Sequence, residues 1–362
     1  MIDLSLLSDG GMPWLDASGR ASHLVLSTRV RLARNLRDRI FGVRNSPEER
    51  EAILAEILPA TRDTPQLAEA MLIRMDQLER DDRELLHERH LVSRELAGLE
   101  GGGDVRAGAA LLVQNRVGVM LNEEDHLRLQ GLQSGFALEA AYGEVDTLDS
   151  ELGQRLAFAF HPQFGYLTSC PTNVGTGLRA SVLIHLPGLV LTKEITKVLQ
   201  GLSQVGLTFR GLYGEGSEVV GNFFQLSNQT TLAKSEFDLL DHLGKMVRQI
   251  IEYEEQARQV LLRDAPAIIE DKVWRAYGLL RHARSLSVEE AMNLLSGARL
   301  GVGLGLIPDV SMYTLNKLLV YAQPAHIAAQ DTSVPALSPS AINIRRASYV
   351  RESLAAGHGN TP

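Results

Sequence analysis

The stretch His-Leu-Val-Leu-Ser-Thr-Arg-Val-Arg-Leu, residues 23–32, has the composition of a β-strand. Side chains alternate between the two faces of a strand, so Arg29 and Arg31 share one face. Val30 and Leu32 share the other face, which suits a buried core. Two neighbouring guanidinium groups repel each other, and such a pair is stable when an anion lies between them. A solvated edge strand is the alternative interpretation.

A second segment, residues 170–185, joins a glycine-bearing turn to another strand and reads Cys-Pro-Thr-Asn-Val-Gly-Thr-Gly-Leu-Arg-Ala-Ser-Val-Leu-Ile-His. Arg179, Ser181 and His185 have the same parity and therefore share a face. Small residues in the turn permit a ligand to approach the backbone closely. Taken alone, Gly-Thr-Gly is a weak signal, and a single histidine is more often a structural residue.

A third segment, residues 117–126, is a strand that ends in three consecutive acidic residues, Glu123 to Asp125, with Arg128 following. Adjacent carboxylates repel one another, which favours a cation or a metal ion nearby. The alternative is the start of a helix, where acidic side chains interact favourably with the helix dipole.

A fourth segment, residues 208–218, carries Arg210 and Glu215 in a loop with three glycines, which is typical of a mobile lid or of an ordinary hairpin. Arginines suit a triphosphate because the guanidinium is always charged and can bond two oxygens at once. Carboxylates suit a cationic acceptor. The four segments together indicate phosphoryl transfer onto a guanidine.

Composition restricts the class of protein. The chain has 362 residues, 44% hydrophobic and 22% charged, which suits a folded protein of two domains. A net charge of −8 argues against a nucleic-acid binder, and no apolar run reaches the roughly 18 residues of a membrane helix. A single cysteine excludes an internal disulfide and suits a protein of the reducing cytoplasm. No signal peptide is expected at the N-terminus. The first lysine is Lys193, so a P-loop cannot occur before it.

Beyond residue 235 the pattern becomes helical. Ser235 is a candidate N-cap, and Ser287 with Glu290 forms a candidate capping box. Glycines at 301, 303 and 305 predict a break, and the Pro- and Ala-rich residues 323–340 predict a linker. Further helices are predicted at 48–60, 76–98, 269–282, 309–322 and 341–355.

Three ordered motifs, at residues 27–35, 122–128 and 170–182, resemble those of the ATP:guanidino phosphotransferases, the superfamily of creatine and arginine kinases. Within it the chain is similar to the bacterial protein-arginine kinases of the McsB type. The first motif begins too early for the helical N-terminal domain of metabolic kinases, and the lid reads Arg-Gly-Leu-Tyr-Gly-Glu-Gly. The resemblance implies an α+β fold, with an antiparallel sheet flanked by helices in residues 1–258 and an all-helical C-terminal domain in residues 259–362.

The resemblance also implies roles for single residues. ATP would be bound through its phosphates by five arginines and beside the nucleoside by a histidine: Arg29, Arg31, Arg128, Arg179, Arg210 and His185. The acceptor guanidine would meet Glu124 as the catalytic carboxylate, Glu123 as its neighbour, Glu215 as a second carboxylate and Cys170. Mg²⁺ would bridge phosphate oxygens, so no all-protein metal site is expected.

Protein-arginine kinases of this type carry an Arg-Asp-x-x-Arg-Ala motif that binds phosphoarginine and stimulates the enzyme. The corresponding stretch keeps Arg346 and Ala347 but has Ile342 and Asn343 in place of the leading arginine and the aspartate. A degenerate site whose phosphoarginine feedback is weak or absent is therefore expected. The alternative is that this helix only packs the dimer.

The resemblance finally implies partners: protein substrates with exposed arginines, an McsA-type activator, a Clp-type unfoldase and protease, a stress repressor and a second copy of the chain. It implies a cytoplasmic stress response without nucleic-acid or membrane binding. A kinase for a small free guanidine and a non-enzymatic phosphoarginine reader are the alternatives.

Overall fold

An antiparallel sheet of eight strands forms the centre of the molecule, in the order β2-β3-β4-β5-β1-β8-β10-β9. The computed structural model describes residues 12–100, 105–212, 219–330 and 338–356. The strands are β1 Val25–Arg34, β2 Met71–Arg74, β3 Ala110–Gln114, β4 Val117–Leu121, β5 Leu127–Ser134, β8 Leu178–His185, β9 Leu207–Arg210 and β10 Phe223–Asn228, and a separate hairpin comprises β6 Phe160–His161 and β7 Gly165–Tyr166. The predicted antiparallel sheet is confirmed.

Helices flank this sheet and form the C-terminal region, as the resemblance implied. They are α1 Pro47–Arg62, α2 Arg80–Glu88, α3 Leu138–Gly153, α4 Pro187–Leu191, α5 Ile195–Gln204, α6 Glu236–Asp264, α7 Pro266–His282, α8 Val288–Gly303, α9 Met312–Tyr321, α10 Pro324–Ala329 and α11 Pro339–Ala356. Among the described residues, no helix is both long and apolar enough to cross a membrane.

The two faces of β1 have different surroundings. Val30 and Leu32 are buried in a core shared with the helices α1, α3 and α6. At Gly131 of β5 a Cβ atom would lie 2.7 Å from Val145 of α3, so the glycine lets this helix pack close to the sheet. On the opposite face, the C-terminal helices cover the end of the sheet that includes Leu26 and Phe223. Arg29 and Arg31 lie beyond that covered part.

Ser235 begins α6 as predicted. Its Oγ accepts a hydrogen bond from the N–H of Asp238 at 3.1 Å, and the Asp238 carboxylate accepts one from the Ser235 N–H at 3.3 Å. The helix then continues to Asp264, across the predicted domain boundary at 258. Arg258 itself is held inside α6 by Glu254, with Nε 2.7 Å from the carboxylate. The chain turns only before Pro266, whose missing N–H ends the helix.

Three sequence predictions about secondary structure were wrong. The segment predicted to be helical at 76–98 forms α2 only at Arg80–Glu88, and His90 has a positive φ of 60°. The helix α8 does not break at Gly301 as predicted but continues to Gly303. A Cβ at Gly301 would lie 2.6 Å from Ile307. Part of the predicted linker is the helix α10. Residues 331–337 lie outside the described residues.

Candidate active site

Four arginines lie on one face of three neighbouring strands. Arg29 and Arg31 belong to the central strand β1; Arg31 pairs across the sheet with Arg179 of β8, and Ala33 pairs with Arg128 of β5. Paired positions on antiparallel strands point to the same face, so the guanidinium groups converge. Together with Arg210 of β9 they line a cleft of about 220 Å³.

The arginine cluster is an environment built for an anion. Burial, followed by the repulsion of Arg179 and Arg128, lowers the pKa of Arg29 to about 10. Burial and the neighbouring arginines lower the pKa of Arg31 well below its ordinary value. The Nε atom of Arg31 is buried without a hydrogen-bond partner among the described residues. A bound polyanion would relieve both the repulsion and the missing hydrogen bond.

A tight turn after β4 presents the acidic residues to this cleft. Asn122 has a positive φ of 55°, and its side-chain amide donates to the Arg50 and Gly108 carbonyl oxygens at 3.0 Å each. The alternative of a helix start is therefore excluded, because the chain returns directly into β5. Arg128 of β5 contacts Glu123 at 2.5 Å and Glu124 at 3.3 Å.

Glu123 and Glu124 differ in their surroundings. The side chain of Glu123 is 1% exposed, and Arg128 pairs with it closely. The side chain of Glu124 is 32% exposed and faces the open cleft. Burial raises the pKa of Glu124, Arg128 opposes that shift, and the neighbouring acids Asp125 and Glu123 add to it. Of the two carboxylates, Glu124 is the one that an acceptor can reach and that can take a proton.

Cys170 lines the same cleft from the loop before β8. Its Sγ lies 3.1 Å from the Thr172 hydroxyl, and the loop is held from behind by Thr231, whose hydroxyl donates to the Thr172 and Val174 carbonyl oxygens. Glu215, the predicted second carboxylate, lies outside the described residues.

His185 does not lie in the cleft, contrary to its predicted place beside the nucleoside. It has the predicted parity, but it lies six positions along the strand from Arg179, which is about 20 Å at about 3.3 Å per residue. There His185 is fully buried, stacked on Phe223, with Nε2 2.8 Å from the Ser296 hydroxyl of α8. Burial lowers its pKa well below the ordinary value, so it stays neutral. His185 joins the sheet to the C-terminal helices.

Several cleft residues were missed by the sequence analysis. His87 lies in the last turn of α2 and His90 lies just beyond that helix. Gln225 of β10 accepts a hydrogen bond from Arg29 at 3.1 Å. Glu95 lines the acidic end and is held by Arg106 at 2.6 Å. The two histidines at 87 and 90, three residues apart, were the only available signal, and it was hidden within a segment predicted to be one long helix.

An apolar annex continues the cleft beyond Arg29. It is lined by Trp14, Leu132, Leu183 and Leu212, with the Ser27 and Ser181 hydroxyls and His90 among them. The cleft therefore runs from an apolar end, through the arginines, to a carboxylate end. The annex has an accessible volume of only about 10 Å³, room for about one water molecule, whereas the cleft itself suits a ligand with an anionic centre and a cationic partner.

At the predicted phosphoarginine site, Arg346 has internal partners. It is 1% exposed and donates to the Ala322 carbonyl oxygen at 2.6 Å, to the Leu286 carbonyl oxygen at 2.9 Å and to Asn343 Oδ1 at 2.7 Å. Ala347 is also fully buried, and Ile342 is half-buried. The guanidinium of Arg346 thus ties α11 to the C-terminal end of α9 and to the segment that precedes α8.

Comparisons with known proteins agree with this geometry. Residues 53–257 match the ATP:guanido phosphotransferase C-terminal catalytic domain, and residues 266–361 match the protein-arginine kinase McsB C-terminal domain. A protein-arginine kinase of Bacillus licheniformis is 44% identical over 344 residues, covering 94% of this chain and 93% of its own. One from Bacillus cereus is 43% identical over 354 residues, covering 96% and 97%.

Solved structures share the fold. The duplicated taurocyamine kinase of Schistosoma mansoni, with bound transition-state-analogue components, has a TM-score of 0.58 at 30% identity. The similarity covers 70% of this chain and 37% of that duplicated one. A lombricine kinase has a TM-score of 0.56 at 23% identity, covering 67% of this chain and 70% of its own.

Proposed function

Because the chain belongs to the ATP:guanido phosphotransferases, and within them to the protein-arginine kinases, we propose that it transfers the γ-phosphoryl group of ATP to arginine side chains of proteins. The observation that carries this proposal is the cluster of buried arginines on β1, β5 and β8. At one end of this cluster the cleft exposes the carboxylate of Glu124. A triphosphate fits the first feature and a guanidinium fits the second.

The arginines position and neutralise the phosphates. Arg29, Arg31, Arg179 and Arg210 can each bond phosphate oxygens and absorb the charge that gathers on the transferred group. Arg128, which is paired with Glu123 and Glu124, adds its positive charge beside them. We place the nucleoside at the edge of the cleft that His87 and His90 line. Because the guanidinium groups are fixed by strands, little reorganisation is needed when the transition state forms.

Glu124 holds and deprotonates the acceptor. A guanidinium nitrogen is a poor nucleophile while protonated, since its pKa lies above about 12. As the N–P bond forms and the bond from phosphorus to the ADP oxygen breaks, the guanidinium loses a proton, which Glu124 accepts. We assign Glu215 as the second carboxylate at this end, and Cys170 as the group that borders the reacting nitrogen.

Mg²⁺ fits this arrangement only as a partner of the phosphates. No group of three potential metal ligands exists among the residues that the structure describes. Glu123, the most buried acid of the cleft, is already paired with Arg128. When bound, Mg²⁺ would neutralise phosphate oxygens and keep several water ligands.

The cellular role follows from the resemblance to protein-arginine kinases. We propose a cytoplasmic stress response in which phosphoarginine marks proteins for a Clp-type unfoldase and protease, with an McsA-type activator and a stress repressor as further partners. We also propose a homodimer. Ile268 and Leu279 of α7, which are 70% and 49% exposed, lie eleven residues apart and therefore on one face of the helix, which supports an apolar contact.

Incubating the chain with ATP, Mg²⁺ and an unfolded basic protein, then mapping the phosphate, tests the proposed function. We expect acid-labile phosphate on arginine. Phosphorylation of free arginine but not of arginine in the protein would instead support the small-guanidine kinase. Phosphoarginine binding without any transfer would support the reader.

A further inference from the structure

The carboxylate of Glu88, the last residue of α2, holds the first turn of α10 in the C-terminal region. Its Oε1 accepts a hydrogen bond from the Ala325 N–H at 2.9 Å, and its Oε2 accepts one from the His326 N–H at 3.0 Å. The side chain of Glu88 is 12% exposed. Backbone N–H groups that begin a helix lack partners within it, and Glu88 satisfies two of them across a domain boundary.

His326 adds a third bond to the same carboxylate. Its Nδ1 lies 2.8 Å from Glu88 Oε2, while its Nε2 lies 3.2 Å from Arg89 Nε. Because Arg89 can only donate, Nε2 must accept, and the proton of the neutral ring is on Nδ1. His326 is 4% exposed, and burial lowers its pKa, which agrees with a neutral ring. Its contacts therefore require one tautomer in one orientation.

The residues on either side of Glu88 line the cleft. His87 and His90 both do so, and no regular element separates them from Glu88. The His90 carbonyl oxygen accepts from Gln130 Nε2 at 3.2 Å, and its ring lies edge-on to Trp14 with centroids 5.4 Å apart. Trp14 packs in turn against Val320 of α9. The C-terminal helices thus support this edge of the cleft at two points.

We propose that Glu88 is a positioning residue for the nucleotide: by anchoring α10, it holds His87 and His90 in the place where ATP meets them. This inference rests on the proposed binding of ATP in the cleft. It assigns a role in ATP affinity to a contact between domains that lies outside the cleft itself.

The test is equilibrium titration of the full chain with ATP and Mg²⁺, followed by steady-state kinetics. In Glu88→Ala both α10 amides lose their acceptor, and we expect ATP to bind at least about tenfold more weakly, because His87 and His90 are no longer held in place. KM for ATP should rise in step, while kcat at saturating ATP should change much less, because no group that touches the reacting atoms is lost.

Variants on the other side of the contact make the test independent of one substitution. His326→Leu removes the third hydrogen bond and should also weaken the binding of ATP. His326→Asn places an amide donor near the Nδ1 position and should restore much of the affinity. The double variant, Glu88→Ala with His326→Leu, should lose less ATP affinity than the product of the two separate fold-losses, because both substitutions break one shared contact.

Glu84→Gln is the matched control. Glu84 lies on the same helix, pairs only with Arg80 at the surface in the described structure, and should leave ATP affinity unchanged. If the wild-type chain binds ATP while Glu88→Ala and His326→Leu bind it equally well, the positioning role is refuted, even if their melting temperatures fall. If Glu88→Ala does not fold, the His326 pair decides between the same outcomes. Absence of ATP binding by the wild-type chain would defeat the proposed function instead.

Discussion

At the scale of the residue, Glu124 carries the largest share of the proposed chemistry. Glu124→Gln keeps the size and polarity of the side chain but removes the charge that holds the guanidinium and the base that accepts its proton. We expect kcat/KM to fall by at least about 10²-fold, the low end for a lost general base. Binding of ATP should survive, because the arginines are untouched. Near wild-type turnover would remove Glu124 from the mechanism.

The environment of Glu124 also sets the direction of the pH dependence. Its folded-state pKa is raised by burial, and the opposing effect of Arg128 only partly offsets this. The ionised form that the reaction needs is therefore lost as pH falls through a value above the ordinary 4.5. We expect the acidic limb of kcat/KM against pH to lie above that value. A limb at or below it would mean that another group titrates.

The parity of Arg29 and Arg31 was sufficient to predict that both face one ligand, because strand alternation is a local property. The neighbours of these arginines were not predictable in the same way. Gln225 and His90 reach the cleft from a non-adjacent strand and from a turn with positive φ, so their places depend on tertiary packing. The nucleoside role of His185 was implied by the resemblance alone, and the parity of this residue specifies a face of the strand but no position along the cleft.

At the scale of the element, β8 serves both the cleft and the domain contact. Arg179 near its start lines the cleft, whereas His185 at its end meets α8. His185→Ala leaves the Ser296 hydroxyl without this partner and opens a cavity, so we expect stability to fall by about 2 kcal/mol. ATP affinity should be unchanged. Chemical denaturation and ATP titration together check this, and a selective loss of ATP binding would restore the nucleoside role to His185.

Caps were predictable from the sequence, and long-range supports were not. Ser235 and Ser287 begin α6 and α8 as predicted, because a cap involves residues only three positions apart. The helix α10 was taken for a linker because residues 323–340 are rich in Pro and Ala. Its first turn is satisfied by Glu88, more than two hundred residues away in sequence, and sequence patterns do not report such a contact. Gly301 was taken for a helix break, although its small size is what lets Ile307 pack against the helix.

At the scale of the whole molecule, the C-terminal helices pack against the sheet, and the phosphoarginine site that the resemblance implies there departs from its motif. Ile342 and Asn343 lack the charges expected there, and Arg346 is engaged by carbonyl oxygens. The loss of two charge-assisted bonds would weaken the binding of phosphoarginine by about 10²-fold or more. We expect no stimulation of the full chain by phosphoarginine, measured as kinase rate. The double variant Ile342→Arg with Asn343→Asp is the control that should gain binding, and micromolar binding by the wild-type chain would contradict the prediction.

The central claim is that this cleft moves phosphate from ATP to arginine in proteins. The most direct test maps phosphorylation by mass spectrometry at neutral pH, after incubating the wild-type chain and Glu124→Gln in parallel with ATP, Mg²⁺ and an unfolded, arginine-rich protein. The account predicts phosphate on arginine nitrogen, lost on brief acid treatment and nearly absent with the variant. Phosphate only on serine, threonine or tyrosine, or equal arginine phosphorylation by both proteins, would contradict it.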